Sequence, residues 1–263
     1  MIKRNITANI VGRAWGFISV YLFVPLYLHM LGAEAYGLVG FYSTLLGVMA
    51  FADMGFSATL NREMARLSAS ANAAQERRDL LRTYELSYLV ICCVIAVALW
   101  LGAPLITEHW LQASTLRSDD ITLAIRLMGV AIAFQLPSGL YIGGLMGLQQ
   151  QVRANFLQIA WSAYRGFGTL LVLWLFSPTI VTFAVWQLVA NALYCLTVRH
   201  GLWHALRTDG VRAVGFFRKQ VFHNTWRYAS GMAGMALLSI LLTQIDKLTV
   251  SKMLSLEMLG FYT

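Results

Sequence analysis

The chain has 263 residues, of which 58% are hydrophobic and only 12% are charged, and its mean hydropathy is +0.62. A soluble domain carries about 25% charged residues to cover its surface, so the composition excludes a soluble globular protein and predicts an integral membrane protein. The net charge of +8 could indicate nucleic-acid binding, but the basic residues lie between long apolar segments, an arrangement typical of membrane topology.

Apolar segments of about 20 residues recur along the whole chain, which is the length that a helix needs to cross about 30 Å of hydrocarbon. Because lipid cannot hydrogen-bond to backbone groups, each of these segments is predicted to be helical. The fold class is therefore predicted to be an all-α integral membrane protein, a polytopic bundle of about seven transmembrane helices. The predicted spans cover residues 6–31, 38–60, 84–106, 121–148, 155–176, 180–198 and 228–254.

The first two predicted spans form a hairpin within residues 25–66. The corner between them, residues 31–37, is too short to be a domain, so the two spans should be antiparallel neighbours. Basic residues are in excess before the first span and again after the second, which predicts that the N-terminus lies in the cytoplasm. Asp53, at the end of the second span, is expected to cap a helix or to neutralise Arg62 rather than to serve in transport.

Polar side chains inside the spans are the candidate functional residues. Asn9 and Arg13 share one face of the first span, and Asn191 lies within the sixth. The fifth span has the clearest polar stripe, whose members follow the helical repeat: Asn155, Gln158, Ser162, Arg165 and Thr169. A stripe of this kind would be costly in contact with lipid, so these faces should line protein or a wet cavity.

The end of the chain carries charge in two settings. Residues 199–227 alternate basic and apolar side chains, which fits either an amphipathic helix on an anionic membrane surface or a solvated linker. The last span contains Asp246 and Lys247, which lie about 100° apart on a helix and so should not pair with each other.

A short repeat divides the chain. Residues 30–37 (MLGAEAYG) and 253–260 (MLSLEMLG) share Met, Leu, Glu and Gly at one constant offset. We therefore expect a six-helix lobe in residues 1–198, a cytoplasmic basic interlobe linker in residues 199–227, and the first helix of a truncated second lobe in residues 228–263. Either the sequence is half of a longer transporter or another chain supplies the rest.

The first hairpin resembles the N-terminal signature of polysaccharide and O-antigen flippases in the multidrug/oligosaccharidyl-lipid/polysaccharide exporter superfamily. The residues that carry this resemblance are Pro25, Tyr27, Leu31, Gly32, Glu34, Tyr36, Gly37, Asp53, Gly55, Arg62 and Glu63. Over the rest of the chain the resemblance is one of topology alone. It differs in size, because the flippases have two full lobes and this sequence predicts fewer helices.

The resemblance implies a non-enzymatic carrier in the bacterial inner membrane. Its substrate would be an undecaprenyl-pyrophosphate-linked oligosaccharide, taken up at the inner leaflet and released at the outer leaflet by alternating access. Its partners would be this lipid-linked oligosaccharide, membrane lipid, and the polymerase and glycosyltransferases of polysaccharide synthesis, without nucleic acid.

A pyrophosphate inside a membrane needs a cationic partner, and arginine supplies a permanently charged fork for phosphate oxygens. We assign this role to Arg13 and Arg165, although Arg13 could instead extend to the inner interface. The expected partners of sugar hydroxyls are Asn9, Gln158, Ser162 and Asn191, and the alternative is hydrogen bonding between helices. Asp246 is the candidate for binding a coupling ion, or alternatively for a salt bridge between lobes.

Three other functions remain open. A cation-coupled multidrug exporter would have the same architecture but should prefer acidic and aromatic cavity residues over arginines. A membrane-embedded glycosyl- or acyltransferase would need an acidic or histidine catalytic centre at the membrane surface. The best candidates for its acidic residues are Asp119 and Asp120, which lie in a short loop. The third is an inactive remnant. The sequence contains no recognisable motif for catalysis, metal binding or cofactor binding, so no cofactor or metal is expected. The three cysteines fall in apolar runs, where cysteine behaves as a small hydrophobic residue.

Overall fold

The computed structural model describes residues 2–70, 73–207 and 214–262, without some side chains of the first and last long helices. Over these ranges the chain is all-α, without strands, which confirms the predicted fold class. The helices are α1 Ile2–Leu31, α2 Ala33–Met49, α3 Phe56–Ser68, α4 Ala74–His109, α5 Ser118–Gly147, α6 Gln151–Leu175, α7 Ile180–Ala205, α8 Lys219–Met253 and α9 Leu256–Tyr262, with a 3-10 helix at Ala50–Asp53.

Five helical segments within the described residues are long and apolar enough to cross a membrane, so this is a multi-pass membrane protein. They are Ile10–Leu31, Ala33–Asp53, Ala74–His109, Ser118–Gly147 and Ile180–Ala205. The two other predicted spans correspond to α6 and α8, which have 25 and 35 residues. Neither α6 nor α8 is among the five segments, and the polar stripe of α6 lowers its mean hydropathy. The membrane-spanning role of both helices stays a prediction.

The second predicted span is a broken helix rather than a continuous one. After the 3-10 helix, the chain leaves helical geometry at Met54 and Gly55, whose φ angles are 44° and 76°, and α3 begins at Phe56. Oδ1 of Asp53 accepts a hydrogen bond from the backbone N–H of Ser57 at 3.2 Å, which confirms the helix-capping role expected for this residue. Apolar periodicity runs through the break, so hydrophobicity alone does not reveal it.

The predicted span ends at residue 198, but helix α7 continues for seven more residues. Polar side chains of this continuation donate hydrogen bonds to a buried carboxylate. Glu85 on α4 accepts hydrogen bonds from Arg199 Nε at 2.8 Å and from Trp203 Nε1 at 2.8 Å, both on α7. The hydroxyl of Tyr141 on α5 donates to the same oxygen at 3.1 Å. One carboxylate therefore joins three helices.

Replacing Glu85 with Ala should lower the free energy of unfolding by about 2–4 kcal/mol. The Glu85 side chain is only 6% exposed, so its removal leaves the donors on α5 and α7 without this acceptor, although Arg199 is 43% exposed and regains some water. Thermal unfolding in detergent micelles measures the effect. The control is Asp119→Ala, because Asp119 is 92% exposed, and equal melting of the two variants would contradict the bridging role.

The segment before α8 is tied to α4 at the same end of the bundle. Asp79 accepts hydrogen bonds from the N–H of Phe216 at 2.9 Å and from Arg218 Nε at 2.7 Å. The helix α8 then begins nine residues before the predicted start of its span, at residue 228. The prediction of an amphipathic helix or a linker in residues 199–227 falls partly on α7 and α8, and residues 208–213 lie outside the described ranges.

The two copies of the sequence repeat pack against each other. A Cβ atom on Gly37 of α2 would overlap the carbonyl oxygen of Leu256, and one on Gly260 of α9 would lie 2.5 Å from the carbonyl oxygen of Ala33. Leu256 follows Ala33, and Gly260 follows Gly37, by the same 223 residues. Such a reciprocal contact is what a two-fold relation between two copies produces, so the geometry fits the predicted repeat.

The loop between α4 and α5 holds both copies together. The carboxylate of Glu34, at the start of α2, accepts hydrogen bonds from the N–H groups of Ser114 at 2.6 Å and Thr115 at 3.0 Å. Two residues earlier, the carbonyl of Gln112 accepts a hydrogen bond from the N–H of Leu256, at the start of α9, at 3.1 Å. The α2–α9 contact and this loop therefore close one end of the bundle.

Candidate functional site

A cavity of about 630 Å³ lies inside the bundle, between α1, the break that separates α2 from α3, α5, α6 and α7. We call it the bundle cavity. Its volume falls in the range of about 300–1,000 Å³ that is typical of ligand sites. The polar side chains on its wall are Asp53, Ser57, Gln135, Ser138, Gln158 and Ser162. The bundle cavity is thus a space whose largely apolar wall carries a few polar side chains.

The bundle cavity and the α2–α9 contact lie toward opposite ends of the bundle. Gly12 and Trp15 line the cavity from the first half of α1, and Gln158 lines it from the first half of α6. Asp53 lines it from the end of the 3-10 helix that follows α2. The α2–α9 contact instead involves Gly37, directly after the far end of α1.

The polar stripe of α6 divides between the cavity and its neighbouring helices. Gln158 and Ser162 line the bundle cavity, as a wet polar face would. Asn155 is buried, and its Oδ1 would lie 2.8 Å from a Cβ on Gly12, so it packs against α1. Thr169 is fully buried and accepts a hydrogen bond from Gln187 of α7 at 3.3 Å. The stripe therefore lines the cavity in its middle and packs against neighbouring helices at its ends.

Arg165 lies midway along α6, one turn beyond Ser162. Its guanidinium carbon is 4.5 Å from the ring centroid of Trp161, which lines the bundle cavity and stacks on Tyr194 of α7 at 4.5 Å between centroids. In the part of the chain that the structure describes, no acidic side chain forms a salt bridge with Arg165. A cation–π contact partly replaces the lost hydration of this cation.

Asn191 lies behind the cavity wall rather than on it. This side chain is fully buried, and its Nδ2 donates to Gln135 Oε1 at 3.1 Å and to the hydroxyl of Tyr42 at 3.1 Å. Gln135 does line the cavity, and the hydroxyl of Tyr42 donates to the same Oε1 at 3.4 Å. These bonds fix the amide of Gln135 with its oxygen toward α7 and α2.

Three of the predicted residues cannot be placed on the bundle cavity. The side chains of Asn9 and Arg13 lie outside the described part of the structure, although Arg13 directly follows Gly12 on the cavity-lining helix α1. Asp246 is exposed on α8 and has an interaction partner. Its role in ion binding therefore stays a prediction.

Sequence reasoning missed several side chains of the cavity wall, above all Asp53 with its partners. Oδ1 of Asp53 accepts hydrogen bonds from the hydroxyl of Ser57 at 2.5 Å and from the hydroxyl of Tyr88 on α4. Asp53 is thus both a helix cap and a cavity residue. Trp15 and Trp161 were not predicted either, because indole rings in a span are typical of lipid contact. The position of Trp161 one turn before Arg165 on the polar stripe was the available signal.

A second pocket, of about 790 Å³, lies between α3, α4 and the start of α8. It carries both signs of charge, and these neutralise each other: Glu63 pairs with Arg62 at 3.0 Å and with Arg66 at 2.8 Å, and Asp79 pairs with Arg218. Burial on its own would raise the pKa of Glu63, but Arg66 and Arg62 outweigh it, so the pKa lies below its ordinary value. This pocket is therefore a weaker candidate than the bundle cavity for binding a charged ligand.

No group of three potential metal ligands occurs within the described ranges. In the comparison with known families, the chain matches the family described as polysaccharide biosynthesis protein over residues 2–263. This match confirms the resemblance inferred from the first hairpin. Neither the curated proteins nor the solved structures gave a significant match.

Proposed function

We propose that this chain, which belongs to the polysaccharide biosynthesis protein family, carries a lipid-linked oligosaccharide across the bacterial inner membrane. The family supports a transport role in polysaccharide synthesis. The finer proposal is that the cargo is an undecaprenyl-pyrophosphate-linked oligosaccharide, such as an O-antigen repeat unit, and that the chain moves it without chemical change.

The observation that carries this proposal is the environment of Arg165. A guanidinium midway along a helix of this bundle, stacked on a cavity-lining Trp161 and without a salt bridge among the described residues, is costly unless it has a function. Pyrophosphate is an anion of matching geometry, because the guanidinium fork binds phosphate oxygens with two parallel hydrogen bonds. Arg165 is therefore proposed to receive the pyrophosphate of the cargo.

The rest of the bundle cavity suits the sugar. Ser162 and Gln158 offer neutral hydrogen-bonding groups one and two turns before Arg165, so pyrophosphate and sugar can bind side by side. Asn191 is proposed to act through Gln135, whose amide it holds in the wall. Arg13 and Asn9, on the helix that supplies Gly12 to the cavity, remain proposed contacts of the same cargo.

Alternating access gives the two ends of the bundle different roles. The basic residues around the first hairpin support a cytoplasmic N-terminus, so the bundle cavity is proposed to face the cytoplasm. The α2–α9 contact would then close the periplasmic side, and its release would expose the cargo to the outer leaflet. Asp246 remains the proposed binding residue for a coupling ion.

The test is transport by the 263-residue chain in proteoliposomes. A fluorescent undecaprenyl-pyrophosphate oligosaccharide is placed in both leaflets, and a membrane-impermeant quencher reports how fast the inner-leaflet pool becomes accessible. The proposal predicts faster quenching than in protein-free vesicles. Equal quenching in both, or export of a cationic dye in place of the glycolipid, would contradict it, and the second result would favour a multidrug exporter.

A further inference from the structure

Asp53 places a carboxylate in the wall of the bundle cavity, and the binding of pyrophosphate and sugar proposed above gives this carboxylate no role. Among the described residues that line the cavity, Asp53 is the single charged side chain. The nearest cation on α6, Arg165, lies beyond Trp161 rather than on the wall. The site is therefore polarised, with a cation beside one part of the cavity and a carboxylate on another part.

The carboxylate of Asp53 is held in place. The N–H and the hydroxyl of Ser57 and the hydroxyl of Tyr88 all donate to the same oxygen, Oδ1. Three donors on one oxygen fix the plane of the carboxylate while Asp53 still reaches the cavity wall. A fixed carboxylate can accept hydrogen bonds from a bound hydroxyl, and it repels a second carboxylate.

Two indole groups add donors to the same space. Nε1 of Trp15 on α1 and Nε1 of Trp161 on α6 are buried and make no hydrogen bond within the described part of the chain, and both residues line the cavity. A buried donor without a partner is costly, and a rotation of either indole toward the cavity would bring its N–H group to a bound molecule. Aromatic rings also provide flat apolar surface, which complements the face of a sugar ring.

We infer that the bundle cavity is a sugar subsite that accepts uncharged sugars and excludes acidic ones, and that Asp53 sets this selectivity. The inference rests on the proposed function, because it assigns the sugar of the same cargo. Asp53 accepts hydrogen bonds from sugar hydroxyls, and the indoles of Trp15 and Trp161 donate to sugar oxygens. A uronic acid would bring its carboxylate against the carboxylate of Asp53, and the two like charges repel each other.

The experiment compares three lipids bound to the chain in nanodiscs: undecaprenyl pyrophosphate without sugar, with one hexose, and with the matching hexuronic acid. The wild type should bind the hexose lipid at least about tenfold more tightly than the hexuronic acid lipid, because two carboxylates held close together repel each other. Asp53→Asn keeps the shape and removes the charge, so the ratio should fall below about threefold. Asp119→Asn, in the exposed first turn of α5, is the matched control and should retain the wild-type ratio.

Trp15→Phe is a second variant, and it leaves the Asp53 cap of α3 intact. It tests the sugar subsite if Asp53→Asn does not fold. This variant should weaken both sugar lipids by about three- to tenfold and leave the sugar-free lipid unchanged, because one donor to the sugar is lost. A wild type without preference between the two sugars, an unchanged ratio in folded Asp53→Asn, or equal weakening of all three lipids by Trp15→Phe would overturn the sugar subsite. Binding of the sugar-free lipid would then still support the transport proposal, whereas a wild type that binds none of the lipids contradicts both.

Discussion

Replacing Arg165 with Ala should reduce transport of the pyrophosphate-linked oligosaccharide by about 10- to 100-fold. A hydrogen bond to a charged group contributes about 1.5–3 kcal/mol, and this substitution removes the proposed cationic partner of the pyrophosphate from beside the cavity. The guanidinium makes its cation–π contact with Trp161 and forms no salt bridge among the described residues, so little of the loss should come from unfolding. The measurement is the initial rate in the proteoliposome assay, with thermal unfolding recorded in parallel.

The chain offers a closely matched control for this variant. Arg126 on α5 also lies inside a predicted span and over an indole, with its guanidinium carbon 5.5 Å from the ring centroid of Trp100, but Trp100 does not line the bundle cavity as Trp161 does. Arg126→Ala should therefore leave transport close to the wild-type rate. Arg165→Lys should retain part of the activity, because the charge remains and the fork is lost. Equal rates for Arg165→Ala and Arg126→Ala would contradict the role of Arg165.

Replacing Gly37 with Ala should open the α2–α9 contact and destabilise the closed end by about 1–3 kcal/mol, the usual cost of overpacking. The new methyl group would overlap the carbonyl oxygen of Leu256, which is backbone and cannot rotate away, so α9 must move. Spin labels on the exposed residues Ser43 of α2 and Met258 of α9, in a background without the three native cysteines, measure the separation of the two helices. The distance should lengthen, and its distribution should broaden.

Gly102→Ala is the control for this prediction, because a Cβ on Gly102 of α4 meets nothing within 4 Å. It should leave the distance and the transport rate unchanged. Transport by Gly37→Ala should fall, because a carrier that is open at both ends cannot hold its cargo on one side. An unchanged distance in Gly37→Ala would show that the two helices do not pack in the membrane as they do in this structure.

The bundle follows from the sequence because long apolar segments have few alternatives in lipid. Hydropathy and length predict the spans and their order, and the five most apolar segments are confirmed as helices of sufficient length. Helix ends are less predictable, because they depend on distant partners. The continuation of α7 past residue 198 needs Glu85, which lies 114 residues before Arg199, so no local pattern indicates it.

The candidate site was predictable where polar residues repeat along a helix. The stripe that includes Gln158 and Ser162 does line a cavity. Asn191 is also a polar residue inside a span, but its side chain donates hydrogen bonds to Tyr42 and Gln135 instead of lining the cavity. The sequence cannot distinguish a polar residue that lines a cavity from one that bonds to another helix. Asp53 was expected to be structural and does cap α3, yet the break at Met54 and Gly55 also places it on the cavity wall.

The central claim is that the bundle cavity holds a lipid-linked oligosaccharide, and site-specific photocrosslinking tests it most directly. A photoreactive amino acid is placed at Gln158 in the cavity wall or at Phe156, which is 67% exposed and lies about 200° away on the same helix. After illumination in membranes that contain radiolabelled undecaprenyl-pyrophosphate oligosaccharide, the account predicts a labelled adduct at residue 158 that unlabelled glycolipid competes away. Adducts of equal yield at both positions, or at residue 156 alone, would contradict it.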